Sequence, residues 1–391
     1  MTKSTNRFVV PSNAEKAEVW KRYHDRNPLR VPLRWNVNPR IIVLNPELNP
    51  EGYTYEQCFH DPHVALVIQS RSWEYLIGTL SRTCDTSDEL PEAWNFCVDN
   101  QNIYDAAYFG AEVRYQPGQV PCTCQSLTLD DVDAFLKRDF SRPLDNPWIR
   151  NRLAFHGELV REAKTFTHRG RKGNVAPFRV GFDGPLTVAA NLFGSDIFLL
   201  LGMDPPKAGK LLTFITEACI VRNRAIAGLT GTWKKDDRGW LADDSIQLIS
   251  SEMYAEIVLP IHELWYSEMS STLPSDGRRS IHLCGDATRH FKMIHEKLGV
   301  TSFDTGFPVN HGALRRELGP DVEISGGPRI SILKDGTPAE CAEHVRLILR
   351  SGVMAGGRFI LQEGNNLPPC VPLENLRAVY EVCLQPEFRY R

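Results

Sequence analysis

The segment RSIHLCGD, residues 279–286, joins a short strand pattern to a cluster of chemically active side chains. Arg279 to Leu283 reads as a strand, and side chains two positions apart on a strand lie on the same face. His282 and Cys284 are therefore expected on one side, where an imidazole and a thiolate can bind one zinc ion. A buried His and a buried Cys with ordinary neighbours would produce the same spacing, so the surrounding sequence has to decide.

Short β-type runs alternate with helical runs on both sides of this segment, which is typical of βα units and a mainly parallel sheet. Eight candidate strands result: Arg30 to Trp35, Ala106 to Val113, Pro177 to Phe182, Ser245 to Ile249 or the residues just before it, Arg279 to Leu283, Thr301 to Phe303, Val322 to Ser325, and Arg358 to Leu361. Eight units predict a closed (β/α)8 TIM barrel of the α/β class. We expect a single domain over residues 30–391, preceded by an N-terminal helical extension over residues 1–29.

Several helices have recognisable first turns. Asp204-Pro205-Pro206 combines a capping carboxylate with prolines that the first turn tolerates, and Thr337-Pro338-Ala339-Glu340 adds the glutamate of a capping box. Ser250 or Ser251 is expected to cap the helix that follows. Pro372-Leu373-Glu374-Asn375 is expected to begin the last helix.

Composition narrows the class of protein. The chain has 391 residues, 42% hydrophobic and 24% charged, with a formal net charge of −3. These values are ordinary for a globular protein and predict no general affinity for nucleic acid or anionic membranes. The polar N-terminus, the absence of a long apolar run and ten mostly scattered cysteines favour a cytoplasmic protein with reduced thiols and small-molecule or protein partners. The oligomeric state stays open.

Polar residues cluster where the predicted strands end, which is where barrels of this kind carry their chemistry. The Asp, Asn and Gly residues among them are also common in turns and caps. In chain order they are Asn36 and Asn38, Asp183, Asp243 and Asp244, His282, Cys284 and Asp286, Asp304, and Glu363 to Asn366.

Five segments together resemble the uroporphyrinogen decarboxylase superfamily: Phe182 to Thr187, Asp204 to Pro206, Ile281 to Asp286, Asp335 to Pro338, and Pro372 to Asn375. The resemblance runs from about Arg34 to the C-terminus. It implies a (β/α)8 barrel, and either porphyrinogen decarboxylation or zinc-dependent methyl transfer with corrinoid proteins. The decarboxylase motifs fit poorly, because Arg34 to Arg40, Phe59 to Pro62 and Ser325 to Gly327 differ from that branch's arginine, aspartate and glutamine segments.

The methyltransferase branch carries His-x-Cys at strand five, which His282 and Cys284 match. Its third ligand, a cysteine after strand eight, is replaced by Asn365, and Cys370 lies five residues further on. Asparagine is a poor zinc ligand, and the carboxylate of Glu363 is the candidate that would complete a His282, Cys284 and Glu363 site. Without a third ligand, His282 and Asp286 are expected to hydrogen-bond a substrate directly.

The resemblance therefore implies a methyltransferase that moves a methyl group between a small methylated substrate or thiol and a corrinoid (cobalamin-type) cofactor on a partner protein, with Zn²⁺ assisting. We expect Asp183, Asp244 and Asp286 to be catalytic. The expected substrate-binding residues are Arg34, Asn36, Asn38, Asp243 and Asn365.

Two alternatives stay open at this point. A decarboxylase-like lyase acting on a tetrapyrrole or polycarboxylate would use cations such as Arg34 and Arg40. A non-catalytic partner that binds a corrinoid protein is the second alternative, supported by the missing third ligand alone.

Overall fold

The computed structural model describes residues 8–231 and 233–390. The chain divides into two compact units. Unit one is bounded by Met1–Asn45, Arg71–Pro91 and Thr305–Arg391, and unit two by Pro46–Ser70 and Glu92–Asp304.

Parallel strands of unit two carry the segment with which the sequence analysis began. Strand β6 (Gly239–Ala242) pairs in parallel with β7 (Arg279–Leu283), with Leu241 opposite Ile281 and Ala242 opposite His282. On its other side β7 neighbours β8 (Val300–Thr305). Arg279, Ile281 and Leu283 are buried while Ser280 and His282 are half-buried. The predicted strand at Arg279 to Leu283 and its period-two pattern are thus confirmed.

In unit one, β9 (Glu323–Gly326) pairs in parallel with β10 (Phe359–Leu361), whose residues are all buried. Leu33 forms an isolated parallel bridge to Leu361. The predicted strands near 322 and 358 are confirmed to within a residue, whereas the one at Arg30 to Trp35 is reduced to single bridges.

Short strands form further sheets. In unit two, β1 (Trp94–Phe96) pairs with β5 (Arg171–Val175), which also pairs with β4 (Thr167–His168). A two-stranded antiparallel ribbon joins β2 (Val113–Arg114) to β3 (Cys122–Thr123). Over residues 8–231 and 233–390 the α/β class is therefore confirmed, but the strands are not one closed ring of eight.

Three predicted strands have different structures at the residues named. Ala106 to Val113 begins inside a buried helix, Tyr104–Tyr108. A segment that is apolar on every side has no readable period, so helix and strand cannot be distinguished from its pattern. Ser245 to Ile249 falls in a 3-10 helix, Asp244–Leu248, and the strand lies just before it. Pro177 to Phe182 belongs to no ladder among the described residues.

Three helices begin at the capping residues that the sequence predicts. The Asp204 carboxylate accepts the Lys207 backbone N–H at 3.0 Å, and Thr337 and Glu340 form a complete capping box. Ser250 is the cap of its helix, accepting the Met253 N–H at 3.2 Å.

The described α-helices are α1 (Asn13–His24), α2 (Arg40–Val43), α3 (Tyr55–His60), α4 (Pro62–Gly78), α5 (Tyr104–Tyr108), α6 (Val132–Phe135), α7 (Pro147–Ala163), α8 (Pro185–Phe193), α9 (Asp196–Met203), α10 (Pro205–Gly228), α11 (Ser251–Met253), α12 (Leu259–Met269), α13 (Thr288–Leu298), α14 (His311–Leu318), α15 (Ile330–Asp335), α16 (Pro338–Ile348) and α17 (Leu373–Cys383). In the part of the chain that is described, no single helix has the length and apolar character to cross a membrane. Only α8 and α9 taken together reach that length, with a bend of 116° between them.

Candidate metal centre

His282 and Cys284 lie together at the carboxyl end of β7. The His282 Nε2 atom is 3.1 Å from the Cys284 Sγ atom, and both side chains are half-buried. The next residue, Gly285, has φ +72°, and a Cβ there would lie 1.9 Å from Gln247 Oε1. Glycine thus allows the chain to turn sharply after the thiol.

Asp244 is the third member of the cluster. It follows β6, and the β6–β7 register places Ala242 opposite His282, so two further residues bring Asp244 alongside Cys284. The Asp244 Oδ1 atom accepts the Cys284 backbone N–H at 2.7 Å. One candidate ligand atom from each of Asp244, His282 and Cys284 lies within 4.8 Å of the other two.

Asp304 holds the other side of the His282 ring. Its Oδ2 atom lies 2.8 Å from His282 Nδ1, at the end of the neighbouring β8. Because a carboxylate accepts, this contact assigns the ring proton to Nδ1 and turns Nε2 towards Cys284 and Asp244.

The electrostatics of the cluster favour a charged imidazolium on His282. Burial opposes charge on His282, but hydrogen bonds to Asp304 and Cys284 outweigh it and raise its pKa to about 11. Burial raises the pKa of the Cys284 thiol, and the neighbouring His282 offsets part of that rise.

This donor set fits a zinc ion. Nitrogen, thiolate sulfur and carboxylate oxygen are the three ligand types that zinc takes, and three protein ligands leave a fourth position open for a substrate. In such sites the ring nitrogen that does not bind the metal usually donates to a carboxylate, which fixes the orientation of the histidine. Asp304 stands in that relation to His282.

Asp243, the neighbour of Asp244, is fully buried, and its side chain stabilises the surrounding fold. Its carboxylate accepts N–H groups of Leu186 at 3.2 Å and Thr187 at 2.8 Å, together with the Thr187 hydroxyl. It also contacts His262 Nε2 at 3.0 Å. Asp243 was expected to bind substrate, whereas its oxygens here fix the first turn of α8.

A second group of polar residues surrounds Asp183. The Tyr104 hydroxyl donates to Asp183 Oδ1, and the Asp183 backbone N–H donates to Asp105 Oδ2 at 2.8 Å. Arg222 contacts Asp105 Oδ1 at 2.7 Å, with both side chains completely buried. Gly184, at φ +87°, allows this segment to approach β6, because a Cβ there would lie 2.2 Å from the Ala242 carbonyl oxygen.

Burial raises the pKa of Asp183 to about 8, and the nearby Asp105 and Asp244 charges act in the same direction. Burial likewise raises the pKa of Asp105, against the opposing effect of Arg222. Asp183 itself is half-buried, so its carboxyl group is not sealed from solvent.

The remaining expected residues occupy different places. Asp286 is exposed, and its Oδ1 accepts the Thr288 N–H at 3.3 Å at the start of α13. The four expected substrate-binding residues of unit one each form a hydrogen bond within that unit. Arg34 Nε donates to Gln362 Oε1 at 2.8 Å, and the Asn36 N–H donates to Glu363 Oε1 at 3.2 Å. Asn38 Oδ1 accepts the Arg40 N–H at 3.0 Å, and Asn365 Oδ1 accepts the Asn366 N–H at 2.7 Å. Glu363 is fully buried there. Asp244, rather than Glu363, is the carboxylate that the structure groups with His282 and Cys284.

Sequence reasoning did not identify Tyr104, Asp105 and Arg222 as part of a site. Tyr104 and Asp105 sit where a strand was expected, and Arg222 lies on a long helix whose other residues read as ordinary core. An arginine in the buried stripe of α10 was the one available signal, since arginine is almost never fully buried unless it is paired.

Fold and site together define an α/β protein whose reactive side chains gather at the carboxyl ends of neighbouring strands. The chain belongs to the uroporphyrinogen decarboxylase (URO-D) family, whose model matches residues 103–385.

One curated relative and one solved structure of similar fold are methyltransferases. The methylated-thiol--coenzyme M methyltransferase of Methanosarcina mazei is 28% identical over 221 residues, which is 55% of this chain and 55% of that protein. This match therefore spans about half the length of that relative. The solved structure of a methyltransferase from Methanosarcina mazei has the same fold, with a TM-score of 0.62 and 15% identity over 92% of this chain and 96% of that chain. The resemblance to the superfamily, on its methyltransferase side, is confirmed.

Proposed function

We propose that this protein is a zinc-assisted methyltransferase. It transfers a methyl group between a small methylated substrate or a thiol and a corrinoid protein. The observation that carries the proposal is the convergence of Asp244, His282 and Cys284 at the ends of β6 and β7. The distant relative that acts on methylated thiols supports methyl transfer and suggests a sulfur compound as substrate.

Asp244, His282 and Cys284 would hold the metal. A bound zinc ion supplies Lewis acidity and lowers the pKa of a coordinated thiol, so that a thiolate exists at neutral pH. Asp304 keeps the His282 Nε2 atom directed into the site, and the Cys284 N–H keeps Asp244 in place. The half-buried setting limits water around these groups.

The wider expectations also stay proposals. They are a (β/α)8 barrel domain over residues 30–391 after an N-terminal extension over 1–29, a cytoplasmic location, and Glu363 as an alternative third ligand in place of Asp244. Asp286, Arg34, Asn36, Asn38 and Asn365 remain proposed contributors to catalysis or substrate binding.

Elemental analysis of untagged protein tests the metal site directly. About one zinc ion per chain is expected in the wild type, with loss of the metal in both Cys284→Ser and Asp244→Ala. The exposed and uninvolved Cys122→Ser is the matched control and should keep its zinc. No metal in the wild type after incubation with zinc would overturn the site and favour a decarboxylase-like lyase or a binding protein.

Methyl transfer is then measured with reduced cobalamin as a surrogate acceptor and methyl thioethers as donors. Formation of methylcobalamin by the wild type, and its loss in Cys284→Ser, is the expected result. A zinc-loaded protein that transfers no methyl group would contradict the activity while leaving the metal site intact.

A further inference from the structure

Asp183 is held on two sides by consecutive residues of one helix. Tyr104 donates its hydroxyl to Asp183 Oδ1, and Asp105 accepts the Asp183 backbone N–H. The other carboxyl oxygen, Oδ2, forms no hydrogen bond with any residue in the described ranges. Since the side chain is half-buried, Oδ2 is the atom that can meet a ligand.

The buried charges around Asp183 do not balance if both carboxyl groups are ionised. Asp105 is in direct contact with Arg222, and this fully buried pair is neutral. Asp183 would then add a negative charge that no cation among residues 8–231 and 233–390 contacts. Removing an unpaired charge from water is costly, and such a group normally binds a proton instead. Because Oδ1 accepts the Tyr104 hydroxyl, that proton belongs on Oδ2.

We propose, building on the methyltransferase function proposed above, that Asp183 is the acid that protonates the departing heteroatom of a neutral methyl donor, a methyl thioether or a methyl ether. This role selects donors whose leaving group needs a proton. When a sulfonium or quaternary ammonium donor loses its methyl group, the leaving group is already a neutral molecule. It therefore needs no proton.

The step balances as follows in atoms and charge. In a donor R–X–CH3, with X sulfur or oxygen, the bond between X and the methyl carbon breaks and its electron pair stays on X. The Asp183 proton forms the new X–H bond and leaves a carboxylate, which water reprotonates. The reduced corrinoid of the partner protein supplies the electron pair for the new bond to the methyl carbon.

The neighbouring groups set when Asp183 holds its proton. Burial and the charges on Asp105 and Asp244 raise its pKa to about 8, while the Tyr104 hydroxyl and Arg222 act in the opposite direction. The titratable or charged groups facing it are Tyr104 and Asp105 on α5, Cys219 and Arg222 on α10, and Asp244 after β6.

The first experiment compares a matched pair of donors, dimethyl sulfide and trimethylsulfonium, with reduced cobalamin as acceptor. Asp183→Asn keeps the side-chain shape but has no acidic proton. We expect its rate with dimethyl sulfide to fall about 10²–10⁴-fold, the usual contribution of general acid catalysis, and its rate with trimethylsulfonium to change only a few-fold. Equal losses with both donors would overturn the proposal.

The second experiment observes the proton itself and needs no turnover. An infrared difference spectrum between the wild type and Asp183→Asn should show a protonated carboxyl band at neutral pH that disappears as the pH rises through about 8. Tyr104→Phe should keep the band to higher pH, because the lost hydroxyl favoured the ionised form. Asp237→Asn, an exposed site, should leave the spectrum unchanged.

The outcomes separate this role from the proposed function. If the wild type transfers methyl groups from neither donor, the methyltransferase function fails and the acid role fails with it. If transfer occurs but the infrared band is absent at neutral pH, only the role of Asp183 is overturned.

Discussion

The His282 imidazole is held between a carboxylate and a thiol: Asp304 Oδ2 lies 2.8 Å from its Nδ1, and Cys284 Sγ lies 3.1 Å from its Nε2. The two nitrogens therefore have different tasks. Nδ1 fixes the orientation of the ring, and Nε2 is the atom offered to a metal.

Replacing Asp304 should weaken metal binding without removing a ligand. Asp304→Ala leaves His282 free to rotate and to change tautomer, and loss of such an outer partner typically costs about 10–100-fold in affinity. Competition with a chromophoric chelator measures the zinc affinity. Asp237→Ala, on an exposed loop, is the control, and equal affinities in the two variants would contradict the prediction.

The buried pair of Arg222 and Asp105 should be important for stability. Arg222→Met leaves the Asp105 charge buried without its partner, which typically costs about 3–5 kcal/mol in free energy of unfolding. Arg278→Met removes a partly exposed pair with Asp276 and should cost about 0–1 kcal/mol. Urea unfolding compares the two, and similar losses would show that burial does not make the difference.

Thr187 should stabilise the junction between α8 and the end of β6. Its hydroxyl donates to Asp243 at 2.8 Å and accepts the Ser245 N–H at 2.9 Å. Thr187→Val leaves these partly buried groups unpaired, so we expect a loss of about 1–3 kcal/mol on thermal or urea unfolding. The exposed Thr165→Val should change stability by less than about 0.5 kcal/mol, and a loss no larger than this in Thr187→Val would refute the argument.

Acid should destabilise the protein through His311. Burial, with a smaller effect of the His344 charge, lowers the pKa of His311 to about 4 from 6.5. Between these two pH values the unfolded chain binds a proton that the folded protein does not, so stability falls as the pH falls, by about 3 kcal/mol in total. His311→Gln should show a smaller loss over this window. Parallel stability profiles of variant and wild type would assign the acid sensitivity to other groups.

Strands with a clear pattern were predictable, and segments without one were not. Alternation located β7 over Arg279 to Leu283, because one face of that strand is buried and the other is only half-buried. The continuous apolar run from Ala106 gave no such signal and is helical in its first part. Capping residues such as Thr337 located helix starts because their hydrogen bonds are local in sequence.

The site was only partly predictable for a related reason. His282 and Cys284 are two residues apart, so strand geometry alone places them together. Asp244 is 40 residues away from Cys284, and its grouping with them depends on the register between β6 and β7. Sequence spacing carries no information about that register, so the family pattern alone pointed to Glu363, a carboxylate near the C-terminus, as the third ligand.

Asp243 and Asp244 are adjacent in sequence, but their carboxylates contact different parts of the structure. Asp243 anchors the first turn of α8 through contacts with Leu186, Thr187 and His262, and this anchoring aims Asp244 at Cys284. A mutational scan scored by activity alone would therefore rank Asp243 beside Asp244, although the Asp243 carboxylate is fully buried against Leu186, Thr187 and His262. Only a scan that measures protein abundance in parallel would distinguish a loss of folded protein caused at Asp243 from a loss of activity caused at Asp244.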